Sequence, residues 1–169
     1  MSVSLYDFSV PPLVHGLNTL NALLDKCAAH AAARKTDAKA YLGSRLIADM
    51  HPLTRQVQIA CDTAKGAAAR LAGVEAPKHE DTEATLEEVQ ARVRKTLDFL
   101  ATFKAAQFEG PETREIVLSF PSRTLRFTAL DYVRQFVLPN FYFHLTIAYA
   151  ILRSNGVDVG KSDFLGPIQ

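Results

Sequence analysis

Residues 131–155 read DYVRQFVLPNFYFHLTIAYAILRSN, about seven helical turns with apolar residues on nearly every side. A helix of that kind is the one a small domain buries most deeply, so the rest of the fold is organised round it. On a wheel of roughly 100° per residue, Val133, Val137, Asn140, His144, Ile147 and Ile151 share one stripe, while Arg134, Gln135 and Arg153 lie off it. The stripe is the expected inward face, with Phe141 and Leu145 outside it. Pro139 lacks an amide proton, which predicts a bend. Asn140 and His144 stand four apart and are neighbours on a helix surface. Buried there, each needs a partner, because an unsatisfied polar group costs roughly 1–3 kcal/mol. The pair marks a candidate site without naming a reaction.

The whole chain has 169 residues, 48% hydrophobic and 22% charged, with a net charge of +1. That is the size and composition of one ordinary globular domain, residues 1–169. A nearly neutral chain gives no electrostatic reason for a nucleic-acid partner. It has no apolar run of the roughly 18 residues that a membrane span needs. The opening MSVSLYDFSVPP lacks the basic flank and apolar core of a signal peptide. Cys27 and Cys61 are too few for a disulfide framework and lie in Ala-rich stretches, so buried free thiols and a cytoplasmic location are expected.

Working outward from the last helix, Gly156 is its natural stop, and Phe164 and Leu165 give the tail a reason to fold back. Thr128, with Asp131 three residues on, resembles a capping box that launches the helix. Before it, REIVLSF, PSR and TLRFT alternate about a short turn, which predicts one β-hairpin. A hairpin alone is marginal in water, so it must pack on helices. Thr82 is the expected cap of a helix over 83–104, lined by Leu86, Val89, Val93, Leu97 and Leu100 and broken by Gly110 and Pro111. An earlier helix runs over 53–71, from Pro52 to Gly73, with an alanine-rich face that lets a neighbour approach closely. Its other side carries Arg55, Gln58, Asp62 and Lys65, read as a solvated face of helical ion pairs. The first helix starts at Ser9 with Pro11 and Pro12 in its first turn and continues to Arg34, with His15 on the outer side. A short helix over 37–45, capped by Thr36 or Asp37, comes next. The result is an all-α four-helix bundle, with a short helix and a small β-hairpin inserted before the last long helix.

Gly-rich phosphate loops, GxSxG, HExxH and paired-cysteine motifs are missing, so no nucleotide cofactor is expected. Polar groups inside the bundle remain, and bundles use such groups for metals and ligands. Asn140 and His144 offer one carbonyl oxygen and one imidazole nitrogen. An open metal site takes about three protein ligands, and the third candidate is Asp62, Gln58 or His51.

At these residues the chain resembles a known family. SLYDFSVPPLV, PLTRQVQIACDTAKGAAARLAGV, PNFYFHLTIAYAILRSNGV and GKSDFLG together are similar to DUF1993, within the DinB/YfiT-like superfamily. The resemblance spans almost the whole chain. It implies a four-helix bundle with a divalent metal in its cavity, held by one histidine on the second long helix and an HxxxH pair on the last. It also implies a homodimer, and chemistry of the metal-dependent hydrolase or thiol transferase kind. The HxxxH position here reads Asn140-Phe-Tyr-Phe-His144, and the second long helix has no histidine. Carboxylate and carbonyl substitutes favour harder ions than zinc or nickel. Two readings result. In one, a divalent metal on His144, Asn140 and Asp62 activates water or a thiol. In the other, a non-catalytic bundle binds a small molecule or partner, with Asn140 and His144 as a buried polar pair. Phe141 and Leu145, rimmed by Tyr142 and Tyr149, are the expected dimer contact.

Overall fold

The computed structural model describes residues 4–110 and 113–167. Four long helices, α1 (Leu5–Arg34), α3 (Leu53–Ala72), α4 (Leu86–Ala101) and α6 (Leu138–Ser154), form the bundle, with a one-turn α2 (Lys39–Leu42) between the first two. Helix α3 packs between α4 and α6, and α1 closes the opposite side against the same pair. One apolar cluster draws on all four. None of the described helices is long and apolar enough to cross a membrane.

Local chemistry sets most of the ends. Helix α3 stops at Gly73, whose φ of 72° is free for glycine. The Val74 amide then reaches back to the Ala69 carbonyl at 2.9 Å, the closing bond of a Schellman turn. Strands β1 (Glu115–Phe120) and β2 (Arg123–Thr128) pair antiparallel, with Leu118 opposite Leu125. Ile116 and Leu118 are buried, so one face of the hairpin packs on the bundle. The Thr128 hydroxyl accepts from the Asp131 amide at 3.1 Å and caps a short α5 (Ala129–Asp131). A terminal α7 (Lys161–Leu165) folds back: Phe164 packs edge-on against Tyr149 at 5.6 Å.

Several boundaries differ from the sequence reading. Helix α1 begins at Leu5, capped by Ser4, rather than at Ser9. Ser9 is buried and donates to the Leu5 carbonyl at 2.6 Å. Pro11 and Pro12 therefore sit inside the helix, depriving the carbonyls of Asp7 and Phe8 of amide partners. Both of those residues are exposed, where water can take the bond. The cap of α4 is Thr85 rather than Thr82: its hydroxyl accepts from the Glu88 amide at 3.2 Å, and the Glu88 carboxylate accepts from the Thr85 amide at 3.1 Å. A reciprocal box needs Glu or Gln three residues on, which Thr85 has and Thr82 lacks. Helix α4 ends at Ala101, well before Gly110, and a 3-10 turn at Ala105–Phe108 comes after it. Pro111, part of the expected break, lies outside the described residues.

The largest correction concerns the last helix. Between α5 and α6, residues Tyr132–Val137 form a π-helical turn, with its bonds spanning one residue more than in an α-helix. Pro139, which has no N–H to give, stands just beyond it. The wider turn rotates everything downstream. The buried residues of α6 are Phe141, His144, Leu145, Ala148, Ile151 and Leu152, while Asn140 and Ile147 are only half-buried. Phe141 and Leu145 are thus core residues of their own chain and offer no dimer contact. The Phe141 ring lies over Gly16, where any side chain would collide with it. Tyr142 and Tyr149, the expected rim, are half-buried against α1 and α7.

Candidate functional site

Helices α3 and α6 meet along a seam of polar pairs. Gln56, Thr63 and Arg70 recur every seven residues on α3 and so share one stripe. His144, Asn140 and Tyr132 meet them in the reverse order, as antiparallel elements must. His144 Nδ1 is 2.7 Å from Gln56 Oε1. Gln56 Nε2 donates to the His51 carbonyl at 3.0 Å, so its oxygen is the acceptor and His144 Nδ1 carries the proton. Asn140 Nδ2 donates to the Thr63 hydroxyl at 2.7 Å. Arg70 Nη1 donates to the Tyr132 hydroxyl at 3.3 Å. Asn140 and His144 therefore each bind a residue of α3 rather than each other.

Burial pulls the His144 imidazole down to about 4, with the nearby charges of His51 and Arg55 adding to it. At neutral pH the ring is uncharged, and with Nδ1 protonated its Nε2 lone pair is open. His144 is 8% exposed.

Asp62 is tied to α4. One carboxylate oxygen accepts from Arg92 Nη2 and from Lys65 Nζ, each at 3.0 Å. Arg92, with a side chain only 2% exposed, also holds Asp81 and Glu83 at 2.9 Å each. Gln58 donates to Glu83 at 2.8 Å. Burial pushes the Glu83 carboxyl up, but the hydrogen bonds from Arg92 and Gln58 hold it below the usual range. The face of α3 read as solvated is therefore covered in part: Gln58 and Lys65 are buried, with Asp81 and Glu83 brought onto Arg92. Arg55 and Asp62 stay partly exposed, and Asp62 makes the expected helical ion pair with Lys65. Sequence reasoning missed Arg92, Gln56 and Thr63. Arg92 flanks the apolar stripe of α4 next to Val93, and the only signal for it was the acidic HEDTE segment just upstream. His15, expected on the outer side, is exposed and pairs through Nε2 with the Leu165 carbonyl at 2.7 Å.

His144, Asn140 and Asp62 are each engaged by other side chains: His144 by Gln56, Asn140 by Thr63, and Asp62 by Arg92 and Lys65. Among the described residues no three His, Cys, Asp or Glu side chains are arranged to hold a metal ion. The set does not fit the divalent metal that the resemblance implies, because Asp62 is neutralised by two cations. Burial pushes the Cys27 thiol up to about 11 and that of Cys61 to about 12, so neither supplies a thiolate nucleophile.

Above the polar seam opens a cleft of about 270 Å³ between α3, the wide turn and the hairpin. Asp62, Thr63, Arg70 and Asn140 line it, with Phe120 and Phe136 as an aromatic wall. Tyr132 stacks on Phe136 at 5.9 Å. A second, larger hollow of about 820 Å³ lies between α1 and the tail, beside His15 and Thr19.

This arrangement of four helices and an inserted hairpin defines a DinB-like bundle. The chain is similar to a solved DinB family member protein from Shewanella denitrificans, at 46% identity and a TM-score of 0.88, over 97% of this chain and 93% of that one. The chain belongs to the DUF1993 family, a domain of unknown function whose model matches residues 5–165. No curated protein matches it.

Proposed function

We propose that the chain is a non-catalytic DinB-like bundle that binds a small molecule in the cleft between α3, the wide turn and the hairpin. Asn140 and His144 serve in it as polar ties that fix the register of α6 on α3. The observation that carries this reading is engagement. Asp62 is held by Arg92 and Lys65, while Asn140 and His144 are bonded to Thr63 and Gln56. Little is left to converge on a metal, yet the cleft beside them stays open. The test is thermal unfolding of wild type and His144→Ala, each with and without chelator, together with elemental analysis of untagged protein. A metal-free, chelator-insensitive wild type is expected. A wild type that loses stability with chelator, beside an insensitive variant, overturns the reading.

One observation favours a second reading, a metal-dependent hydrolase or thiol transferase. His144 has its Nδ1 proton engaged by Gln56, the arrangement that orients a metal-ligating imidazole. Under that reading Asn140 and Asp62 leave Thr63 and Arg92 to complete the site, and the same chelator experiment decides. A homodimer belongs to the same set of proposals, and the exposed Phe143 on α6 is the side chain that supports it.

A further inference from the structure

Gly66 lies in the middle of α3 and is buried. A glycine there costs a helix about 1 kcal/mol relative to alanine, so its neighbours are informative. What a side chain at Gly66 would strike is the Arg70 guanidinium, with Nη1 2.5 Å from the added carbon. Arg70 therefore folds back along its own helix over the bare backbone of Gly66, and Tyr132 Oη fixes its head from across the cleft. The guanidinium is seated in the cleft wall.

Among the described residues Arg70 makes no salt bridge. The other charged groups lining the cleft are spoken for: Arg55 pairs with Asp81 at 2.5 Å, and Asp62 with Arg92 and Lys65. The Tyr132 hydroxyl accepts from Arg70, which leaves its own proton to give. A guanidinium hydrogen-bonded to a phenol that keeps a proton to give is a pair of donors that suits a carboxylate. Beside them stand the rings of Phe136 and Phe120, with centroids 6.4 Å apart and planes inclined at 48°, so that a planar body can lie on one ring and meet the edge of the other. The cleft, at about 270 Å³, is smaller than the roughly 300–1,000 Å³ of drug-sized sites.

We infer that the cleft binds a small carboxylic acid with a single planar apolar body, its carboxylate on Arg70 and Tyr132 and its body against Phe136 and Phe120. Gly66 is the positioning residue that keeps Arg70 in place. The inference rests on the cleft reading above, and the experiment separates the two. Isotope-labelled protein is titrated with phenylacetate, with phenylacetamide and with inorganic phosphate, following the amides of Thr63, Arg70 and Phe136 by NMR. Phenylacetate is expected to shift these amides and to bind at least about tenfold more tightly than the amide, since a charge-assisted pair is roughly twice as strong as a neutral one. Arg70→Gln and Gly66→Ala should each weaken phenylacetate by about tenfold. Gly66→Ala should do so without lowering the unfolding temperature, which a merely structural glycine would not allow. Phenylacetamide binding as tightly as phenylacetate at the same amides overturns the carboxylate inference and keeps the cleft reading. Phosphate binding as tightly as phenylacetate overturns the aromatic part. No shift at these amides with any probe at millimolar concentration overturns both.

Discussion

Replacing His144 with leucine removes a buried imidazole from the seam and should change how stability depends on pH. In the folded chain burial holds His144 down to about 4, against an ordinary value of 6.5. As pH falls through 6.5 the unfolded chain takes up a proton that the folded chain refuses, so stability falls with it. The loss begins near the unfolded value and stops once the folded ring also titrates, near pH 4. Worked at ~1.4 kcal/mol per pH unit, the full loss is about 3 kcal/mol, of which about 2 kcal/mol falls between about pH 7 and pH 5. That upper window keeps clear of the carboxylates. His79, whose ring burial and Lys65 also hold low, is common to both proteins and cancels. The assay is urea unfolding of wild type and His144→Leu at closely spaced pH values. Wild type should lose about 2 kcal/mol more than the variant over that window. At neutral pH the variant should itself be weaker by about 1–3 kcal/mol, because Gln56 loses its partner. Parallel curves for the two proteins would falsify the account, since His144 would then titrate as a solvated histidine does.

Arg92→Met should cost about 3 kcal/mol in urea unfolding, near the low end for a broken buried pair, because Asp62 and Asp81 still reach water; a loss below about 1 kcal/mol counts against a structural network. Gly16→Ala should drive a methyl into the Phe141 ring and lower stability by about 1–3 kcal/mol, whereas a neutral result by calorimetry means that α1 and α6 are further apart. Thr85→Ala should cost about 1 kcal/mol as a lost cap and Thr82→Ala almost nothing, and the reverse order refutes the placing of the box. If the proposed homodimer uses the α6 face that carries Phe143, light scattering should find a dimer in wild type and a monomer in Phe143→Asp; a monomeric wild type ends the proposal.

The fold was legible where the signals were local. Gly73, the alternating strands, the pair Thr128 and Asp131 and the alanine face of α3 each act within a few residues, and each lies where it was expected. The start of α1 was misread because two prolines look like a first turn, although Ser4 three residues before Asp7 was an equally good cap. The site was legible only in part. His144 stood out as a histidine on an apolar helix, but its partner Gln56 is an ordinary residue on a mixed face. Asp62 was named, but nothing in its neighbours reveals that Arg92, thirty positions later, neutralises it. That pairing exists only because residues 74–85 lie across both helices. The wheel held for Val133, Val137, His144 and Ile151 but missed Phe141 and Leu145, because periodicity assumes one constant turn and Tyr132–Val137 break it.

That wide turn also bears on how relatives are aligned. A single residue gained or lost within 132–137 offsets every later position of the helix by about 100° of rotation. Counting back from Asn140 and His144 through this stretch, without a gap placed inside it, pairs side chains that point in different directions. Comparisons across the family are better anchored on the ring that fills the notch at Gly16, a position defined by contact instead of by count.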